Sequence, residues 1–153
     1  MTICGFLILL LSCTTGEIIE GNKDNDVNPP ALTLDMQVVE IVNREREKQK
    51  LAPLEIDESL MKSCDTRAKE IATKYSHTRP DETSCFTVIE TPYRAAGENI
   101  AYGQKDAKTV MDGWMNSKGH RENILSADYT HIGVGCYERN KQLYWVQLFI
   151  QKK

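Results

Sequence analysis

The chain has 153 residues, 41% of them hydrophobic and 27% charged, a balance that suits one globular domain rather than a disordered chain or two complete domains. Its net charge of −3 comes without any long run of Lys or Arg. The basic stripe of a nucleic-acid binder is missing, so nucleic acid is not an expected partner.

Residues 1–13 (MTICGFLILLLSC) carry no charge and contain the apolar run Phe6 to Leu11. That run is too short to span a bilayer but has the length of the apolar region of a signal peptide. It ends in Leu10-Leu11-Ser12-Cys13, which resembles the lipobox of bacterial lipoproteins: apolar residues, a small residue, then cysteine. The resemblance implies a signal segment over 1–12, cleavage before Cys13 and a lipid on the Cys13 thiol, with the membrane as partner through that anchor. Stable anchoring takes two or more acyl chains, which this class carries. One departure is that no Lys or Arg precedes the apolar run, where a signal is normally positive.

From Cys13 to residue 33 the sequence is rich in Gly, Asn, Asp and Pro with little apolar periodicity, and is expected to be a tether. About 20 flexible residues would separate its ends by about 25 Å. The folded domain is expected over 34–153. A first helix is predicted from Leu34 to Lys50, with Met36, Val39, Val42 and Arg46 recurring at three- and four-residue steps. A second is predicted from Asp57, its N-cap, to Tyr75, with Leu60, Cys64, Ala68 and Ile71 on the stripe that faces the core. Between His77 and Ala96 the pattern is irregular, apart from a short helix starting near Ser84.

Asp106 is a good N-cap for a third helix through Val110, Met111 and Trp114, and another helical turn is predicted at Arg121–Leu125. Strand signals follow. His131 to Tyr137 alternates, with Ile132, Val134 and Cys136 on one face and Gly133 and Gly135 on the other. After a turn at Glu138–Gln142, Leu143 to Ile150 is almost continuously apolar, which a strand tolerates only when both of its faces are covered. Helices are therefore expected on both sides of the sheet.

Imidazole chemistry has three candidates, His77, His120 and His131. His77 follows the second helix, His120 follows the Trp114 helix, and between them lies Gly97-Glu98-Asn99-Ile100-Ala101-Tyr102-Gly103. Five blocks stand in order: the Asn43-to-Arg46 helix with Leu51-Ala52-Pro53-Leu54, the post-helical His77, Gly-Glu-Asn-Ile, Trp114 to Gly119-His120, and Ile132-Gly133-Val134-Gly135. Together, over about residues 34 to 150, they resemble the bacterial branch of the CAP superfamily, the SCP-like extracellular proteins.

The resemblance implies an α+β fold, a three-layer α-β-α sandwich whose small antiparallel sheet is covered by helices on both faces. It also implies a cleft where His77, Glu98 and His120 converge. Two imidazoles and a carboxylate can hold Zn²⁺ with one position open for water, His77 and His120 acting as ligands. Alternatively, Glu98 would orient an imidazole acting as general base, or serve as the catalytic carboxylate itself. Animal members typically carry a second Glu three residues after the helix Trp, where this chain has Ser117. Beside these stands a plainer reading, which leads: a carboxylate bonded to two neutral histidines as a structural clamp without turnover. His131, Trp114 and Trp145 are read as packing residues.

With Cys4 removed and Cys13 lipidated, Cys64, Cys85 and Cys136 remain. Cys64 and Cys136 fall on predicted core faces, as apolar fillers or as a buried pair. Cys85, in the irregular stretch, is expected to be the most exposed thiol, with no base near it in sequence. The leading functional expectation is a lipid-anchored module at the bacterial envelope, on the outer membrane or cell surface. It would bind a host, envelope or lipid or sterol partner and require no cofactor. The alternative is a metal-assisted hydrolase using the His/Glu/His cleft, with zinc.

Overall fold

The computed structural model describes residues 31–153. The signal segment 1–12, Cys13 and most of the tether lie outside the described residues. In chain order the elements are α1 (Leu34–Lys48), β1 (Glu55–Ile56), α2 (Glu58–Ile71), a 3₁₀ turn (Cys85–Val88), β2 (Tyr93–Tyr102), α3 (Ala107–Asn116), α4 (Lys118–Ile124), β3 (His131–Arg139) and β4 (Gln142–Lys152). One four-stranded sheet has the order β1-β3-β4-β2. Its three long strands pair antiparallel, as expected. The two-residue β1 adds a parallel edge to β3, so the sheet is mixed.

The predicted caps hold the helices. Asp57 accepts from the Leu60 amide at 2.9 Å, and Asp106 accepts from the Thr109 amide at 2.7 Å. Asp57 also receives Lys152 Nζ at 2.9 Å, which ties the start of α2 to the end of β4. The helix predicted at Arg121–Leu125 begins earlier, at Lys118, directly after Ser117 ends α3.

Each face of the sheet carries its own core. On one, Val38, Val39 and Val42 of α1 and Val110, Met111 and Trp114 of α3 pack on Ile132, Val134, Trp145 and Phe149. On the other, Leu60, Cys64, Ala68 and Ile71 of α2 pack on Ile100, Val146, Leu148 and Ile150. This double burial explains the unbroken apolar run of β4, a central strand bonded on both sides. Arg46, placed by the periodicity on the inner stripe of α1, is 1% exposed. Among the described residues it has no carboxylate partner. Its guanidinium instead donates to the carbonyls of Ala52 (2.8 Å), Ile124 (2.9 Å) and Ser126 (2.7 Å), closing the end of α4.

The two glycines of β3 let α2 lie against the sheet. A Cβ at Gly133 would stand 2.5 Å from the backbone carbon of Leu60, and one at Gly135 would stand 2.5 Å from that of Cys64. Helix backbone cannot yield as a side-chain tip can. Gly135→Ala is therefore expected to cost about 2 kcal/mol, as overpacked cores do, measured by urea unfolding. An unchanged midpoint would contradict this close approach.

The irregular stretch before Ala96 conceals the start of β2, which runs through the Gly-Glu-Asn segment. Gly, Asn and Glu are poor strand formers, and Glu98 and Asn99 are only 6% and 0% exposed. A strand with adjacent buried polar residues has no alternation to detect. It exists because each polar side chain finds partners on its own side of the sheet.

Candidate functional site

Successive residues of a strand point to opposite faces, and β2 is an edge strand. Glu98, opposite Leu148, points to the α2 side, while Asn99, opposite Gln147, points to the α3 and α4 side. The Gly-Glu-Asn segment thus serves two different networks.

On the α2 side, Glu98 is met by a residue that sequence reasoning missed. Arg67, whose side chain is 0% exposed, donates Nε to Glu98 Oε2 at 2.9 Å and Nη2 to Oε1 at 3.3 Å. The same guanidinium donates to Glu70 at 2.7 Å and to the Ser76 carbonyl at 2.8 Å. Glu70 in turn holds Arg79 at 2.7 Å. The signal available in the sequence was spacing: Arg67 stands three residues after Cys64 and four before Ile71, at helical steps from the apolar stripe.

His77 Nδ1 lies 2.7 Å from Glu98 Oε1. Burial alone would raise the Glu98 carboxyl, but the hydrogen bonds from His77 and Arg67 and the charge of Arg67 outweigh it and hold the group below its ordinary range. Glu98 is therefore an anion and only accepts. Nδ1 carries the proton of that bond, and Nε2 of the half-exposed ring is turned to solvent.

On the other side of the strand, a buried amide network positions α4. Asn99 Nδ2 donates to the His120 carbonyl at 3.1 Å and to Gln147 Oε1 at 3.0 Å. Asn123 donates to Asn99 Oδ1 at 2.8 Å. Gly97 makes room for this arrangement, since a Cβ there would lie 2.6 Å from the Tyr129 hydroxyl and 2.9 Å from Asn123 Oδ1.

His120 reaches the cleft from this second side and makes no hydrogen bond to Glu98. The two imidazoles approach each other around the edge of β2. The His120 ring is held below its ordinary range, first by burial and then by the neighbouring His77, so it is predominantly neutral near pH 7. His120, Ser117, Tyr75 and Tyr102 line a pocket of about 260 Å³ along this edge. His131 lies elsewhere, 3.5 Å from Glu55 where β1 meets β3. Trp114 and Trp145 are core residues, 1% and 0% exposed.

The expected trio of His77, Glu98 and His120 does not form one compact donor set. Among the described residues, the group whose donor atoms lie within 4.8 Å of one another is His77, Cys85 and Glu98. The cause is strand alternation, which sends Glu98 and the Asn99 network that positions His120 to opposite sides. As for a metal, the donor chemistry fits the imidazoles and not the carboxylate. The oxygens of Glu98 are taken by a guanidinium whose charge repels a cation, whereas His77 Nε2 has its orientation fixed by Glu98 as metal-bound histidines commonly do.

Cys85 corrects a further expectation: it is not the most exposed thiol but 4% exposed, and it faces Glu98. The 3₁₀ turn folds it inward against the site. Burial and then Glu98 push its thiol up to about 11, and burial pushes Cys136 up to about 12. Cys64 and Cys136 are free thiols that pack into the cores on opposite faces of the sheet, so they act as apolar fillers rather than as a pair. Native protein at pH 8 is expected to alkylate at these three positions far more slowly than unfolded protein, followed by mass spectrometry. Rapid native labelling of Cys85 would contradict its burial.

Acid should loosen the site in two stages. The folded pKa of His120 lies below its unfolded value, so its contribution is complete above about 6.5 and declines as pH falls below that value. Glu98 and Glu70 are also depressed, so their contribution is complete above about 4.5 and is lost as pH falls through their folded values. The measured quantity is unfolding free energy against pH. A rise in stability from pH 7 to 4 would contradict these directions.

The order of blocks, the sandwich and the edge-strand cleft define an α-β-α module of the SCP type. The model of the cysteine-rich secretory protein family, CAP, matches residues 39–149, and the chain belongs to that family. It is 46% identical over 121 residues to the Bacillus subtilis (strain 168) protein YkwD, covering 76% of this chain and 46% of YkwD. It is 33% identical over 144 residues to the membrane protein YlbC of the same organism, covering 90% of this chain and 40% of YlbC. Among solved structures, an extracellular SCP-domain protein from Bacillus anthracis str. Ames superposes with a TM-score of 0.70 at 28% identity, over 77% of this chain and 40% of that one. The chain thus spans less than half the length of these relatives.

Proposed function

We propose that the chain is a non-catalytic recognition module at the bacterial envelope, held to the membrane through a lipid on Cys13, which binds a host, envelope or lipid partner at the edge of β2. The observation that carries this reading is the commitment of Glu98. Fixed by a buried guanidinium and an imidazole, it is an ionised anchor with no proton to give, and it holds His77 rigid. Such a fully satisfied network sets shape rather than turning over substrate. Extracellular and membrane proteins among the relatives support an envelope location.

The test is retention on envelope fractions and on phospholipid vesicles with and without sterol, made in a Cys13→Ala background so that no lipid holds every variant alike, beside His77→Ala and His120→Ala in the same background. Retention that falls in the cleft variants is expected, and equal retention of all three proteins would sink the reading. The anchor is checked separately by fatty-acid labelling, which should vanish in Cys13→Ala.

One observation favours a second reading, metal-assisted hydrolysis: the solvent-facing Nε2 of His77 beside a neutral His120. These two residues would hold the ion, with Glu98 orienting His77. A zinc ion bound there would supply Lewis acidity and an activated water. Zinc titration separates the readings, because tight uptake abolished by His77→Ala and His120→Ala would favour hydrolysis.

A further inference from the structure

Around the C-terminal end of α2 the face of the sheet that α2 covers carries tyrosines, of which Tyr137 and Tyr144 pack against the α2-side core. Tyr102 on β2 and Tyr137 on β3 both stand opposite Tyr144 on β4, so the three form a row across neighbouring strands. Tyr102 and Tyr144 stack at 6.0 Å with 20° between their planes, and Tyr75 meets Tyr102 edge to face at 4.7 Å. Tyr75 and Tyr102 are each 50% exposed. Both are held in place: Tyr75 donates its hydroxyl to the Ile100 carbonyl at 3.1 Å, and Tyr102 is braced by its two ring partners. Rigid, half-exposed aromatic rings beside a cleft are a feature of binding surfaces.

The row leads into the 260 Å³ pocket, which contains Gln104, Ser117 and His120 and has no Lys, Arg, Asp or Glu in its lining. Gln104 is fixed there, its carbonyl accepting from Trp145 Nε1 at 3.0 Å. Yet one end of its side-chain amide is buried and, among the described residues, has no hydrogen-bond partner. The unpartnered atom is the amide oxygen Oε1, an acceptor, and a ligand group that donates to it would remove the penalty of leaving it unsatisfied.

These features select a ligand class. A lining without charged side chains gives no counter-ion for a phosphate, a carboxylate or an ammonium group. An acyl chain or sterol ring would leave the Gln104 amide unanswered. A saccharide ring meets every requirement: its C–H face lies flat on an aromatic ring, and its rim of hydroxyl or acetamido groups can both donate and accept.

We propose that the edge of β2 is a saccharide subsite, in which an uncharged pyranose of a glycan chain lies flat on Tyr75, with the Tyr102 ring set at 71° against its rim, and hydrogen-bonds to the Gln104 amide, Ser117 and His120. This rests on the recognition reading above and narrows its partner to a glycan. The neighbouring Tyr144 and Tyr137 extend the platform for a second ring.

The experiment titrates the full chain with an N-acetylglucosamine tetramer and, separately, a glucose tetramer, followed by calorimetry and by amide chemical shifts. Saturable binding of at least one is expected, weakened about tenfold in Tyr75→Ala and in Tyr102→Ala, which corresponds to about 1.4 kcal/mol. Both tyrosines are surface residues, and circular dichroism verifies that the variants fold. Gln104→Leu should weaken binding comparably. Binding of the N-acetylglucosamine tetramer alone would assign the acetamido group to Gln104, and binding of both would assign a ring hydroxyl.

No saturable binding of either saccharide at millimolar concentration overturns the proposal, as does binding indifferent to both tyrosine variants. If envelope retention still depends on His77 and His120 while neither saccharide binds, only the glycan assignment fails. If retention is also lost as a cleft property, the recognition reading fails with it.

Discussion

Replacing Arg67 with Met is expected to lower the free energy of unfolding by about 3–5 kcal/mol, the cost typical of removing one partner from a buried ion pair. The methionine keeps much of the volume but leaves the Glu98 carboxylate, 1% exposed, facing His77 and Cys85 without its guanidinium. It also releases Glu70 and the Ser76 carbonyl that precedes His77. Glu98 should then lose its lowered pKa, since burial, which raises it, would be opposed by His77 alone. Arg67→Met combined with Glu98→Gln removes both charges and should recover part of the loss. Urea unfolding of the two single variants and the double variant gives the coupling as a cycle. A loss below about 1 kcal/mol for Arg67→Met would be typical of a surface pair and would contradict the buried network.

Arg46→Met is the second large effect, expected at about 3 kcal/mol or more. The cost has a different origin, because no carboxylate is left behind. Instead, the carbonyls of Ala52, Ile124 and Ser126 lose their donor together, each worth about 1–3 kcal/mol if it stays buried and dry. The end of α4 is the element released, so amide exchange should accelerate through Lys118–Ile124 and leave α2 unchanged. Uniform acceleration across the domain would instead mean that Arg46 supports the whole fold.

The two arginines mark how far the sequence could be read. The helix periods, the caps at Asp57 and Asp106, and the doubly covered β4 are local signals, and each is expressed in the fold. Arg46 was already on the inner stripe of α1, though nothing in its neighbourhood named two of the three carbonyls that it serves, which lie 78 and 80 residues away. Arg67 escaped notice because a charged residue beside an apolar stripe usually faces water. Strand β2 escaped because Gly97, Glu98 and Asn99 oppose strand formation, and only partners on both sides make the strand favourable.

In the site, His77 and Glu98 do meet, as the ordered motifs implied. His120 and Glu98 do not, because a one-residue step along a strand reverses direction. Cys85 was misplaced for a related reason: a short 3₁₀ turn has too few residues for a periodic pattern to reveal its buried side. Motif order thus located the cleft, while the orientation of each side chain depended on tertiary pairing.

The sheet order has a further consequence, for the timing of folding. Strand β4 follows β2 and β3 in the chain, yet it lies between them and contributes to both cores. Strand β2 has no pairing partner before residues 142–152 are available. The sheet therefore closes only once β4 has been made, and the elements ahead of it wait on a strand that follows them in the chain.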